Sequence, residues 1–145
     1  MRSVLYAIVQ LVWGLPQTLA GLFVLLIHRN RPHFRYRGAV VTTWKSRKAL
    51  SLGPFVFMNG SDDVATALES VDRPLLVHEY GHTIQSLFLG PLYLPAVGLP
   101  SAIWFNVPAL SRMRSEKGVS YYGFYTERSA NWLGERIARE PSPSA

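Results

Sequence analysis

The chain has no cysteine in its 145 residues. That excludes disulfides and thiolate metal sites, so any bound metal must use imidazole, carboxylate, carbonyl or water ligands. No aspartate or glutamate precedes Asp62, and neither histidine nor aspartate follows His82. No G-x-S-x-G nucleophile turn, Gly-rich phosphate loop, nucleic-acid-binding module or internal repeat is present. Because acids are missing from the first 61 residues, Arg2, Arg29, Arg31, Arg35, Arg37, Lys45, Arg47 and Lys48 give that stretch a charge of +8, against −2 for the remainder and +6 for the whole. A basic half of this kind favours an anionic partner, and the uncharged apolar segments beside it favour membrane lipids over nucleic acid.

The length suits a single unit, residues 1–145, of mixed α+β, membrane-associated architecture. Residues 3–27 carry no charge and are flanked by Arg2 and by the His28-Arg29-Asn30-Arg31 cluster. A membrane segment over 1–28 is expected, long enough to span as one helix; Gly14 and Pro16 also allow a kinked helix or a hairpin of two short helices. The β-branched and aromatic texture from 33 to 60 predicts a β-hairpin or small sheet of two or three strands, with Lys45–Lys48 as a basic turn. Ser61 is expected to cap a short helix over 62–69.

Asp72 is placed to cap a helix over 73–89, with Pro74 in its first turn and Gly90-Pro91 as its stop. Residues 90–110 form an apolar segment interrupted by Pro91, Pro95, Pro100 and Pro108. That interruption predicts a re-entrant or interfacial course rather than a straight span. A C-terminal helix is expected over 121–139, with a Glu135–Arg139 pair, followed by a frayed tail from Pro141.

Within the 73–89 helix stands His78-Glu79-Tyr80-Gly81-His82. Histidines four apart project from one helical face and can share a metal, with Glu79 beside them as a general base for metal-bound water. Gly81 in a helix interior costs about 1 kcal/mol relative to Ala, which implies a close neighbour at that position. A third protein ligand must come from Glu116, Glu127, Glu135 or Glu140. Glu127, near the start of an aromatic-rich helix, is the best candidate. His28 and His33, set among arginines outside the apolar segment, suit interfacial placement better than metal binding.

HEYGH followed by Glu127-Arg128-Ser129-Ala130-Asn131 resembles the gluzincin metallopeptidases, which pair H-E-x-x-H with a downstream E-x-x-x-D helix. The flanking Gly-His-Thr-Ile-Gln-Ser and Tyr-Thr-Glu segments look like those of small bacterial membrane proteins. The resemblance implies a Zn2+ site formed by His78, His82 and Glu127, with Glu79 as the catalytic base. It also implies that Asn131 stands where the family has its supporting Asp, a substitution expected to raise ligand basicity less. It covers about ten residues in two patches, in a chain far shorter than those enzymes.

The resulting expectation is a zinc metallopeptidase acting on a peptide or protein substrate at a membrane of anionic lipid, the bacterial inner membrane, with its site at the cytoplasmic face. The alternative is a non-catalytic membrane adaptor or assembly factor with a structural zinc. Tyr122 and Tyr125 are candidates to assist the oxyanion, and the strand Gly53–Met58 is a candidate edge for pairing with substrate. The sequence does not address oligomeric state.

Overall fold

The computed structural model describes residues 2–143. Helix α1 (Arg2–Val12) and helix α2 (Leu15–Ile27) are followed by strands β1 (His33–Tyr36), β2 (Ala39–Trp44), β3 (Leu50–Leu52) and β4 (Phe55–Asn59). Then come a single turn of helix α3 (Ala67–Ser70), helix α4 (Arg73–Leu89), a 3-10 turn at Gly90–Leu92 and a π-turn at Leu94–Gly98. Helices α5 (Leu99–Asn106), α6 (Pro108–Lys117) and α7 (Tyr125–Ala138) complete the chain, α7 being preceded by a 3-10 turn at Tyr121–Gly123. The class is thus mixed α+β.

The strands form one four-stranded sheet in the order β1-β2-β4-β3. β2 and β4 run parallel, Val41 opposite Val56, and the two outer pairings are antiparallel. This corrects two expectations. The region is the small sheet, with four strands in place of two or three and one parallel pairing. The strand within Gly53–Met58 is interior, bonded on both sides, so it has no free edge for a substrate. The edge beside α4 is the three-residue β3.

Helix α4 runs from Arg73 to Leu89, and its Asp72 cap accepts from the Leu75 N–H at 2.8 Å. Every residue from Leu76 to Ser86 is buried, because sheet, α7 and the α1/α2 pair cover α4 on different sides. Val41, Val56 and Met58 from the sheet meet Leu76, Val77, Tyr80 and Ile84 of α4 in the core. On the α7 side the backbones nearly touch. A Cβ added at Gly81 would lie 1.9 Å from the Ala130 carbonyl oxygen, and one at Gly134 would lie 2.2 Å from that of Val77. The close neighbour implied by Gly81 is therefore the main chain of α7.

The first two helices have the opposite polarity to a water-facing pair. Their buried residues are Tyr6, Gln10, Gly14, Gln17, Thr18 and Gly21, at three- and four-residue spacings that place them along the inner side. Gln10 Nε2 donates to the Thr83 carbonyl at 2.8 Å, and Gln17 Nε2 donates to Ser86 Oγ at 2.9 Å and to the Gly90 carbonyl at 2.8 Å. Val4, Leu5, Leu11, Val12, Leu19, Phe23 and Ile27 face outward. Among the described residues no single helix is long and apolar enough to cross a membrane; the apolar run breaks at Trp13-Gly14 and the two arms bend by 106°.

Three local expectations fail for traceable reasons. Asp62 pairs with Arg31 and Lys45, and Asp63 accepts from the Ala65 N–H, so these acids shape a turn instead of opening a helix over 62–69. Glu135 does not pair with Arg139. Arg139 adopts a left-handed φ of 57°, which reverses the chain, and Glu135 accepts instead from the Ser142 N–H and hydroxyl. The tail through Pro143 is consequently fastened rather than frayed, while Ser144 and Ala145 lie outside the described residues.

Candidate metal centre

His78 and His82 sit one turn apart on α4 and Glu127 on the first turn of α7, and the contact at Gly81 brings the two helices close enough for the three side chains to meet. All three are buried, and one ligand atom from each lies within 4.8 Å of the others. Glu127 Oε2 is 3.2 Å from His78 Nε2 and 3.5 Å from His82 Nε2. Tetrahedral zinc with ligands near 2.1 Å requires ligand–ligand separations of about 3.4 Å. Oε2 is moreover a buried carboxylate oxygen with no aligned hydrogen-bond donor. A carboxylate in that state calls for a positive partner, which a protonated imidazole supplies in the metal-free protein and a divalent metal would supply among the three atoms, so the residues fit such a metal.

The rest of the cluster is arranged around that demand. Glu127 Oε1 accepts from Ser101 Oγ at 2.5 Å and from Thr126 Oγ1 at 2.9 Å, which leaves Oε2 alone to face the imidazoles. His82 Nδ1 lies 2.7 Å from Gln85 Oε1, and His78 Nδ1 lies 2.6 Å from Asn131 Oδ1. Each ring thus gives its Nδ1–H to an amide oxygen and turns Nε2 inward, as ligation through Nε2 requires. Burial pushes the Glu127 carboxyl up, but the two imidazoles and Ser101 outweigh it and hold the group far below the usual carboxylate range. Burial pushes His82 down, and Glu127, Glu79 and Gln85 more than reverse that, leaving its pKa raised.

Glu79 is held from the sheet. Ser51 Oγ, on the edge strand β3, donates to Glu79 Oε2 at 2.5 Å and lies 3.0 Å from the Glu79 carbonyl oxygen. His78, Glu79 and His82 all line a cleft of about 710 Å³. One wall is β3; the other carries Leu94, Gly98, Ala102 and Phe105 from the broken apolar segment, with Arg47 and Lys48 at the rim. Tyr93, Tyr121 and Tyr122 line it too, and burial pushes all three phenols up, so they stay protonated donors.

Of the other candidate ligands, Glu116 is an exposed residue of α6, while Glu135 and Glu140 hold the tail. Tyr122 packs its ring edge-on to His78 at 5.1 Å, whereas the Tyr125 hydroxyl is spent on the Ala96 carbonyl, away from the cleft. His28 packs on Trp44 and His33 bonds Thr42, far from any shared ligand set. Ser51, Gln85, Ser101, Tyr93 and Tyr121 were not singled out by sequence. Only Gln85 carried a local signal, three residues beyond His82 on the same helix.

No family model matches the chain, and neither a curated protein nor a solved structure matches it.

Proposed function

We propose that this protein is a zinc-dependent peptidase working at a membrane surface. The observation that carries the reading is the buried Glu127 Oε2, without an aligned hydrogen-bond donor, facing two imidazoles at the wall of an open cleft, with the Glu79 carboxylate beside them. A metal that only clamped α4 to α7 would need neither the cleft nor a second carboxylate lining it.

His78, His82 and Glu127 would hold the ion, which when bound supplies Lewis acidity and lowers the pKa of nearby water towards neutrality. Glu79 then acts as the base. Ser51 fixes its Oε2, so the carboxylate is aimed before substrate arrives, and it accepts a proton from water and returns it to the leaving nitrogen. The outer edge of β3, where the Tyr93 hydroxyl donates to the Ser51 carbonyl at 3.4 Å, offers its remaining main-chain groups to an extended peptide, the Leu94–Phe105 wall receives an apolar side chain, and protonated Tyr121 or Tyr122 donates to the carbonyl oxygen as it gains charge.

Membrane attachment is supported by the inverted α1/α2 pair. Buried glutamines beneath an outward apolar surface invert the usual order for water and suit hydrocarbon. Arms of 11 and 13 residues are about 17 and 20 Å long, short of the roughly 30 Å needed to span, so they enter one leaflet. Arg29, Arg31, Lys45, Arg47 and Lys48 follow this pair and favour the anionic cytoplasmic leaflet.

The test is metal content and peptide cleavage of detergent-purified protein, wild type against Glu127→Gln and Glu79→Gln. Near-stoichiometric zinc is expected in wild type and Glu79→Gln and none in Glu127→Gln, with cleavage falling about 10²–10⁴-fold in Glu79→Gln. Wild type without zinc overturns the metal reading. Zinc with no cleavage of any peptide would leave a structural clamp in an adaptor.

A further inference from the structure

We propose that the segment Glu140–Pro143 is a strap that sets the metal-binding orientation of His78 by fixing which end of the Asn131 amide faces the ring; this rests on the metal-site reading above. If His78 binds through Nε2, its Nδ1 carries the proton and needs an acceptor. Asn131 Oδ1 supplies one at 2.6 Å. A primary amide keeps nearly the same shape when rotated by half a turn, but would then present its NH2 to an N–H, donor against donor. Something must select the face.

The selector is the Pro143 carbonyl oxygen. It accepts from Asn131 Nδ2 at 2.9 Å and, having no proton, tolerates only that end of the amide. The strap that brings it there is fastened twice. Ser142 donates from N and Oγ to Glu135 Oε1 at 3.2 and 2.7 Å. Glu140 takes Arg73 Nε at 2.6 Å, Arg37 Nη2 at 3.2 Å and Tyr36 O–H at 3.1 Å. The left-handed Arg139 turns the chain back to reach these partners.

His82 provides the internal contrast. Its amide partner Gln85 donates Nε2 to the Thr126 carbonyl at 2.8 Å and to Ser129 Oγ at 2.7 Å, both on α7 itself. The His82 amide is therefore locked without the tail, and the His78 amide only with it. Asparagine at 131 then follows from geometry: an aspartate would hold His78 equally well but would set a carboxylate oxygen against the Pro143 carbonyl.

A carboxylate has two like ends and no face to choose, which makes the proposal testable as a cycle. The zinc Kd of the detergent-purified full chain is measured by competition with a chromophoric chelator, for wild type, a chain ending at Pro141, Asn131→Asp, and the two combined. Ending the chain at Pro141 should weaken zinc binding about tenfold in the wild-type background, within the range known for partners of metal-binding histidines. It should not weaken binding in the Asn131→Asp background, where loss of the Pro143 carbonyl only relieves its repulsion with the carboxylate. No effect in wild type, or equal weakening in both backgrounds, overturns the strap while leaving the metal site standing. Wild type that binds no zinc removes the site and the strap together. Should the shortened chain not fold, Glu135→Ala combined with Glu140→Gln unfastens the strap at both points in a full-length protein; weaker zinc binding in that variant is expected, and unchanged binding overturns the proposal.

Discussion

Helix α4 is held on two sides by different means. Towards α7 it offers glycine and charged or ligating groups: Gly81 lets the backbones approach until a Cβ would collide, and His78 and His82 point at Glu127. Towards α1 and α2 it offers Thr83 and Ser86, and neutral Gln10 and Gln17 answer them. The first contact sets ligand positions to a fraction of an ångström and tolerates no added atom. The second contact anchors a pair of helices whose outward surface is apolar. Only the first holds the candidate metal ligands, so the two should fail differently when altered.

The largest effect is expected from Gly81→Ala. Its methyl would overlap the Ala130 carbonyl, and neither backbone can move without parting Glu127 from the histidines. Overpacking of this severity costs about 3 kcal/mol or more, so chemical denaturation should show a large loss together with loss of zinc. Gln17→Ala attacks the other side. It strips a donor from Ser86 Oγ and the Gly90 carbonyl, a loss of about 1–3 kcal/mol, yet zinc content should stay unchanged. Equal loss of zinc in both variants would mean that the two faces are one cooperative unit.

The metal-free protein sharpens the contrast through pH. Glu127 is held below its ordinary 4.5, so its contribution to stability is present above that value and fades only as pH falls through the lower folded pKa. His82 is raised above its ordinary 6.5, so its contribution is complete below 6.5 and is lost as pH rises through the higher folded pKa. Without metal, stability should therefore peak between about 4.5 and 6.5 and decline into the neutral range. Zinc should reverse that decline, because ligation needs neutral imidazole. Thermal melts across pH, with and without zinc, check both slopes; Gln17→Ala should shift the curves without altering their shape.

The α7 side was the more legible of the two in the sequence. Histidines four apart fix a shared face, and with no histidine or aspartate after His82 the remaining ligand choices narrowed to four glutamates. The strap was hidden because Pro141-Ser142-Pro143 has the composition of a loose end, and its anchors at Arg37 and Arg73 lie far away in sequence. Strand β3 was hidden because three residues are too few to show alternation; its place is set by contact with β4 and α4. The inverted hairpin was partly readable. Tyr6, Gln10, Gly14, Gln17 and Gly21 share one side, but a run of apolar neighbours draws attention to spanning length instead of to which side is polar.

The smallest effect on the fold is expected from Phe23→Ser, and its contrast with Gln17→Ala is what tests the inverted polarity. Phe23 is 66 % exposed and Gln17 fully buried, so a water-soluble protein would gain from the exchange of phenylalanine for serine. In detergent the change should stay within about 0.5 kcal/mol, and zinc content should be untouched. Binding to vesicles containing anionic lipid should nevertheless weaken by about tenfold or more, since a phenylalanine transferred from water to hydrocarbon contributes about 1.5–3 kcal/mol. Gln17→Ala should do the reverse, loosening the fold while leaving the outward surface able to bind vesicles. Flotation assays on both variants decide the matter: unchanged vesicle binding by Phe23→Ser would remove the outward side of α2 from any membrane contact, and would leave burial by another protein as the explanation for its apolar residues.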